Sequence, residues 1–289
     1  MIWLVPVVLG VLAATVHEIL QKKVLDTLEV FDYLKLRSVF MLVFLTFLFP
    51  FVTVPSLGVE AAFIAFSGVC MAVATVGFSK AVKHEEISTI QPLANLNPLI
   101  VTVLAFIFLD ESLSHIQVGG ILLLLVGTYI LNIHGVDKGV LEPFRAIYNN
   151  YYTKIAVISL FFFAFAATSS RFVTTAGTDP FTYTVFSWII SCVLIIIFSS
   201  YTHPSFRIRG RSKPVLIAVA IPSFLLVVME ASFYYAVSLM SVGIIAALFR
   251  LSNLFATVQG GILFRESHLL KKTLACLVMG AGAALLVLF

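Results

Sequence analysis

Apolar residues fill this chain in blocks of about 20, the length a membrane-spanning helix needs, separated by short polar turns. The blocks lack the strict alternation that marks half-buried strands. They predict ten spans, at 3–21, 33–54, 57–81, 87–109, 116–133, 155–174, 181–201, 215–238, 242–264 and 269–289. A polar stretch from His134 to Tyr152 separates the fifth from the sixth. The spans use nearly the whole chain, so function has to reside within the bilayer. The expected fold is an all-α integral membrane protein.

Composition sharpens this. Of the 289 residues, 61% are hydrophobic and 11% charged, and the mean hydropathy is +1.09. Soluble domains run at roughly 45–50% apolar and about 25% charged. A soluble enzyme, a disordered chain and a nucleic-acid binder are thereby set aside. The partners implied are the bilayer and a small-molecule substrate. Cys70, Cys192 and Cys276 lie inside apolar runs and form neither a metal-ligand spacing nor a disulfide framework. No Walker sequence is present, and no cofactor or catalytic set is expected. The start Met1-Ile2-Trp3-Leu4 has no basic region, so no cleaved signal peptide is expected.

The basic residues predict orientation. With the N-terminus outside, 16 of the 18 Lys and Arg residues fall in or beside inner loops, from Lys22-Lys23 and Arg37 to Lys271-Lys272. Arg171 lies on the outer side and Arg250 within a span. Both termini are therefore expected outside, in a multi-pass protein of a plasma or inner cell membrane.

The two halves resemble each other. At a shift of 155 residues, Phe78 meets Phe233, Leu96 meets Leu251, Thr102 meets Thr257, and Glu111-Ser112 meets Glu266-Ser267. Earlier spans align more loosely, Ala13-Ala14-Thr15 with Ala166-Ala167-Thr168. Five spans per half is an odd number, so the second half enters the membrane from the opposite side. The expected architecture is two inverted five-helix repeats, 1–134 and 154–289, joined by a cytoplasmic loop at 135–153. Inverted repeats are an architecture of secondary transporters, where the halves exchange conformations around a midplane site.

Polar positions inside spans are the candidates for chemistry. Gln91, Asn95, Pro98 and Thr102 form one helical stripe, and its counterpart is Ala246, Arg250, Asn253 and Thr257. Spans 3 and 8 supply Thr75 and Ser79, matched by Glu230 and Tyr234. Polar groups facing lipid are costly, so these stripes should face protein or water. Interhelical packing is the plainer explanation for any single Asn or Thr, but a stripe repeated in both halves favours a cavity. Glu230 reads as the acidic residue deep within a span and Arg250 as the basic one, at one depth on antiparallel neighbours. The expected substrate-binding set is Thr75, Gln91, Asn95, Glu230, Tyr234, Arg250, Asn253 and Thr257. In it Arg250 meets an anionic group, and Glu230 holds Arg250, binds an amine or takes a proton. His17 and Glu18 near one mouth and Arg171 near the other are expected gates; snorkelling at the interface is the plainer alternative. Gly119, Gly120, Gly127, Gly280 and Gly282 permit close packing of spans 5 and 10, within the chain or across a homodimer. Leu123 and Leu285 are expected to face lipid.

The repeated block, Phe78-Ser79-Lys80-Ala81 to Leu109-Asp110-Glu111-Ser112 and Phe233-Tyr234-Tyr235-Ala236 to Phe264-Arg265-Glu266-Ser267, resembles the EamA-type members of the drug/metabolite transporter superfamily. There the residue before the Glu is usually Gly; here it is Asp110 and Arg265. The resemblance implies helices 3, 4, 8 and 9 around a central cavity, helices 1, 2, 6 and 7 in gating, and helices 5 and 10 at the periphery. It implies a secondary transporter, an exporter of small metabolites such as amino acids, working by alternating access, not an enzyme. Proton and exchange coupling both stay open. The rival readings are a translocator of lipids or lipid-linked sugars, and an integral-membrane enzyme acting on lipid phosphates. The enzyme would need an interfacial acid–base or metal cluster, for which His17-Glu18 alone is too little.

Overall fold

The computed structural model describes residues 2–55, 58–85, 93–132, 150–203, 212–252, 255 and 269–288. Among them the fold is all-helical: α1 (Leu4–Thr27), α2 (Val30–Leu45, continued by a 3-10 segment Thr46–Phe51), α3 (Val59–His84), α4 (Asn97–Leu109), α5 (His115–Asn132), α6 (Tyr151–Thr175), α7 (Pro180–Thr202), α8 (Lys213–Leu239), α9 (Val242–Phe249) and α10 (Leu269–Leu288). Six of these, α1, α2 with its 3-10 extension, α3, α6, α7 and α8, are long and apolar enough to cross a membrane. Shorter apolar stretches lie in α4, α5 and α10.

Local chemistry sets several boundaries. Asp179 caps α7 by accepting from Phe181 N (2.8 Å) and Thr182 N (3.0 Å), and Pro180 fills the first position, where its missing N–H costs nothing. Asp110 ends α4 with φ 52° and ψ 24°, in the left-handed region. Glycine adopts that conformation freely, and Asp is among the few other residues that tolerate it. Asp110 thus holds a conformation that glycine favours, at the place where the repeated motif usually carries Gly.

The expected span 87–109 is interrupted. The chain turns at Asn95–Leu96, where Leu96 N donates to Leu93 O (2.9 Å), and α4 starts at Asn97 with Pro98 in its first turn. Pro98 thus starts a helix where a mid-helix position was expected. A proline has no N–H to close the bond to the fourth residue before it. The ninth helix breaks at the corresponding place: Arg250 N donates to Ala247 O (3.0 Å), and the turn falls at Arg250, 155 residues after Asn95. Tight turns of this kind inside helices are common at hinges.

The helices pair in a permuted pattern. α5 packs on α10, α2 on α7 and α4 on α9; α3 packs on α6 as α8 does on α1, α3 on α7 as α8 on α2, and α4 on α6 as α9 on α1. Exchanging α1–α5 with α6–α10 returns the same list. Small residues let backbones approach at these contacts. A Cβ at Gly10 of α1 would strike the Phe249 ring, and one at Gly68 of α3 would meet Ile190 and Ser187 O of α7 at 2.8 Å. Gly120 and Gly282 face each other across α5 and α10, so this part of the glycine pattern serves packing within one chain. Leu123 and Leu285, expected to face lipid, are half-buried, with their Cβ atoms beside these glycines. The outer surface instead carries Leu12, Phe66, Phe106, Ile197 and Phe224, all largely exposed. Ser67, Thr184, Ser191 and Ser223 are buried, and Ser223 donates back to Val219 O of its own helix (2.7 Å).

A Cβ at Gly282 would lie 2.7 Å from Gly120 O and 2.8 Å from Leu124 N, both immobile backbone atoms. Gly282→Val should cost about 1–3 kcal/mol through overpacking. Gly280, with open space around its Cβ position, should accept Ala with no loss. Thermal unfolding in detergent checks both; equal melting temperatures for the two variants would contradict the packing.

Candidate functional site

Eight of the helices converge on one cavity of about 240 Å³. Its charged and polar wall is built by His17, Glu18 and Gln21 on α1, Arg37 on α2, Thr75 and Ser79 on α3, Glu230 on α8 and Arg250 after α9. Its apolar wall includes Met71 and Phe78 on α3, Phe163 on α6, Trp188 on α7, Met229 and Phe233 on α8, and Phe249 on α9. No residue of α5 or α10 is in the wall among the described residues.

The charges come from unexpected places. His17 and Glu18, the expected gate residues of α1, stand in the cavity wall. His17 is 5% exposed, and its Nδ1 donates to the Pro222 carbonyl of α8 (2.9 Å). Arg37 was counted among the inner-loop charges. However, α2 starts at Val30, which places Arg37 two turns inside the helix, 4% exposed, with its guanidinium 5.7 Å from the centroid of the Trp188 ring. A basic residue within two turns of a span's predicted end reads equally as an anchor or as a lining residue. The helix boundary separates the two.

These positions change the partners. Glu230 and Arg250 share the cavity without a direct ion pair between them. The carboxylate acting on Arg250 is Glu18, which also accepts from Ser252 Oγ (3.4 Å). Glu230 instead lies near the Trp188 indole, the Tyr234 hydroxyl and Arg37. Both electrostatic couples cross between the halves: Glu18 of α1 with Arg250, and Arg37 of α2 with Glu230 of α8. Arg37 Nε, Arg250 Nε and Trp188 Nε1 are buried and have no hydrogen-bond partner among the described residues.

Thr75 and Tyr234 line the cavity as expected. Tyr234 donates to Met71 Sδ (3.5 Å) and packs edge-on against Tyr183, whereas Tyr235 stacks on Phe181. Asn95 is buried outside the wall; Asn97 lines it, donating to Leu160 O (3.0 Å). The break at Asn95–Leu96 ends the regular stripe from which Asn95 was placed. Thr102 donates to Pro98 O (2.8 Å) and touches Gly243, which makes it part of the α4–α9 contact. Gln91, Asn253 and Thr257 lie outside the described residues.

Arg171 is not part of the cavity wall, although Ala167, one turn earlier on α6, is. Its Nε donates to Glu111 Oε1 (2.6 Å), and its Nη1 donates to Val237 O (2.8 Å) and Ser238 O (3.1 Å), the last carbonyls of α8. Ser241 Oγ, before α9, donates to Glu111 Oε2 (2.8 Å). One guanidinium thus ties α6, the end of α4 and the α8–α9 turn together, and a cation suits a helix C-terminus. At the opposite end Lys83 of α3 donates to Leu25 O and Leu28 O, both at 2.9 Å, at the end of α1.

Comparison with known proteins agrees with this architecture. Among 29 solved chains that match, one described as "Crystal structure of protein" superposes with a TM-score of 0.72 over 98% of this chain and 96% of that one, at 14% identity. At that identity the likeness concerns the fold alone. No curated protein matches significantly. The sequence profile of the EamA-like transporter family matches twice, over residues 1–133 and 152–288. The chain is a multi-pass membrane protein and belongs to the EamA-like transporter family, within the drug/metabolite transporter superfamily.

Proposed function

We propose that the chain is a secondary transporter that exports small metabolites, amino acids among them, by alternating access around this cavity. The observation that carries the reading is a cavity of about 240 Å³ lined by four formally charged residues drawn from both halves. A charge at the centre of a span costs about 2.5–3.5 kcal/mol on insertion scales, and such residues usually mark a pathway. A protein built only to fold would not place four there.

The proposed frame is ten spans in two inverted repeats, 1–134 and 154–289, with both termini outside. The permuted helix pairing and the corresponding breaks at Asn95–Leu96 and Arg250 support it. So does the concentration of basic residues on one side of the predicted spans. Broken helices at mid-depth are the usual hinges and binding points of such transporters. Within this frame Arg250 contacts an anionic substrate group, and Glu230 and Tyr234 line the same site. Glu18 holds Arg250 when the site is empty, the part first assigned to Glu230. Arg171 with Glu111 closes the end that carries the α8–α9 turn, and Lys83 braces the other.

Purified protein in proteoliposomes, loaded with a labelled metabolite panel with and without a pH gradient, should release at least one compound faster than empty vesicles. No release across a broad panel would contradict the reading. Arg250→Gln and Glu230→Gln should reach the membrane, remain monodisperse and lose at least about tenfold in flux. Normal flux in both would remove them from the site.

Arg171→Gln and Glu111→Gln should each slow flux several-fold, and the double variant should be no slower than either single one. Residues in one ion-pair network behave non-additively. Multiplying defects would mean that the two act separately.

A further inference from the structure

We infer that the cavity holds its substrate by an acid group clamped between Arg37 and Arg250, with the Trp188 indole N–H as a third donor. This rests on the transporter reading of the same cavity and names the class of its substrate: an organic anion with an apolar body. Arg37 and Trp188 become specificity residues that the chain's pattern did not reveal.

The cavity wall carries unfilled donors. Buried N–H groups are nearly always hydrogen-bonded, and a buried donor without a partner marks a missing ligand or water. The two arginines and Trp188 each leave a buried nitrogen without a partner among the described residues, and all three line one cavity. Arg37 and Trp188 are 4% and 2% exposed. On the acceptor side, Glu18 receives Ser252 Oγ (3.4 Å) and Glu230 lies beside Arg37, which leaves the two Nε atoms and the indole N–H without a bond among the described residues. What the site lacks is acceptor oxygens. A carboxylate supplies two in a plane, matching the fork of a guanidinium.

The rest of the wall indicates what the acid group is attached to. Phe78, Phe163, Met229 and Phe233 offer an apolar surface to a ring or short chain. A substrate acid entering beside Arg37 takes the position Glu230 now holds toward it. Arg250 is drawn from Glu18 in the same way. Because each couple joins the two halves, binding the anion loosens both links at once and frees the halves to move.

Trp3 and Trp188 are the two tryptophans of the chain, so Trp3→Phe leaves Trp188, in the cavity wall, as the sole tryptophan emitter, excited selectively beyond the tyrosine band. Full-length Trp3→Phe protein in lipid nanodiscs is titrated with 3-phenylpropionate, 3-phenylpropylamine and 3-phenylpropanol. The expected result is a saturable change in Trp188 emission with the acid, at an affinity at least tenfold tighter than with the amine or the alcohol. Arg37→Gln should weaken acid binding at least tenfold. Arg37→Lys, which keeps the charge and the fold but loses the fork, should weaken it measurably and carries the test if the Gln variant does not fold. Equal binding of the amine or alcohol, or undiminished acid binding by Arg37→Lys and Arg37→Gln, would overturn the anion clamp and leave the transporter reading standing. Silence with all three compounds would also overturn the clamp, and the flux panel then decides the transporter reading separately.

Discussion

A formal charge cannot be left facing hydrocarbon, and this chain places four of them, Glu18, Arg37, Glu230 and Arg250, around one internal cavity. The rest of the structure answers to that constraint. Desolvation of each charge is repaid only in part by an opposite charge nearby. The charges are therefore collected around one internal cavity, and the exterior is left to residues such as Phe66, Phe106 and Ile197. The couples, Glu18 with Arg250 and Arg37 with Glu230, each join the first half of the chain to the second. The electrostatics that solve the burial problem thus also link the two halves of the chain.

Helix geometry makes the collection feasible. The break at Arg250 falls where a cavity charge is needed, and Asn97, just past the break at Asn95–Leu96, reaches the wall that Asn95 does not. Pro222 in α8 leaves a mid-helix carbonyl without its usual donor four residues on, and its own carbonyl accepts His17, which fixes α1 against α8. Small residues then bring the helices close enough for these contacts, as Gly10 does against Phe249 and Gly120 against Gly282. At the two ends, Lys83 and Arg171 satisfy helix C-terminal carbonyls with cations. Each of these bonds can open without unfolding a helix.

The chain's pattern made the fold class, the transporter family and part of the cavity legible. Hydropathy gives helices because a block of about 20 apolar residues has few other solutions in a bilayer. Thr75, Glu230, Tyr234 and Arg250 were readable because polar residues stand out against apolar spans, and all four line the cavity. Pairing was not readable. Glu230 and Arg250 were expected at one depth on neighbouring helices, yet the opposite charges near them are Arg37 of α2 and Glu18 of α1, and only tertiary packing says so. Asn95 was misplaced because the periodicity argument assumes an unbroken helix. Arg37 and His17-Glu18 were read as interfacial because a span's end is uncertain by a turn or two. The stretch that separates an anchor from a ligand is of that same length. Asp110 shows the converse: its φ of 52° explains a departure from the family motif that residue identity alone left unaccounted for.

The proposed transport requires that the cavity open to one side of the membrane at a time. Thr75, buried in its wall at 4% exposure, reports on this directly. Thr75→Cys is placed in a background with Cys70, Cys192 and Cys276 replaced, reconstituted in oriented vesicles, and exposed to a membrane-impermeant thiol reagent from each face. The account predicts labelling from one face at a time, with the favoured face shifting when Arg171→Gln loosens the α8–α9 end. Labelling from neither face in any condition, or from both at once as in an open pore, would contradict it.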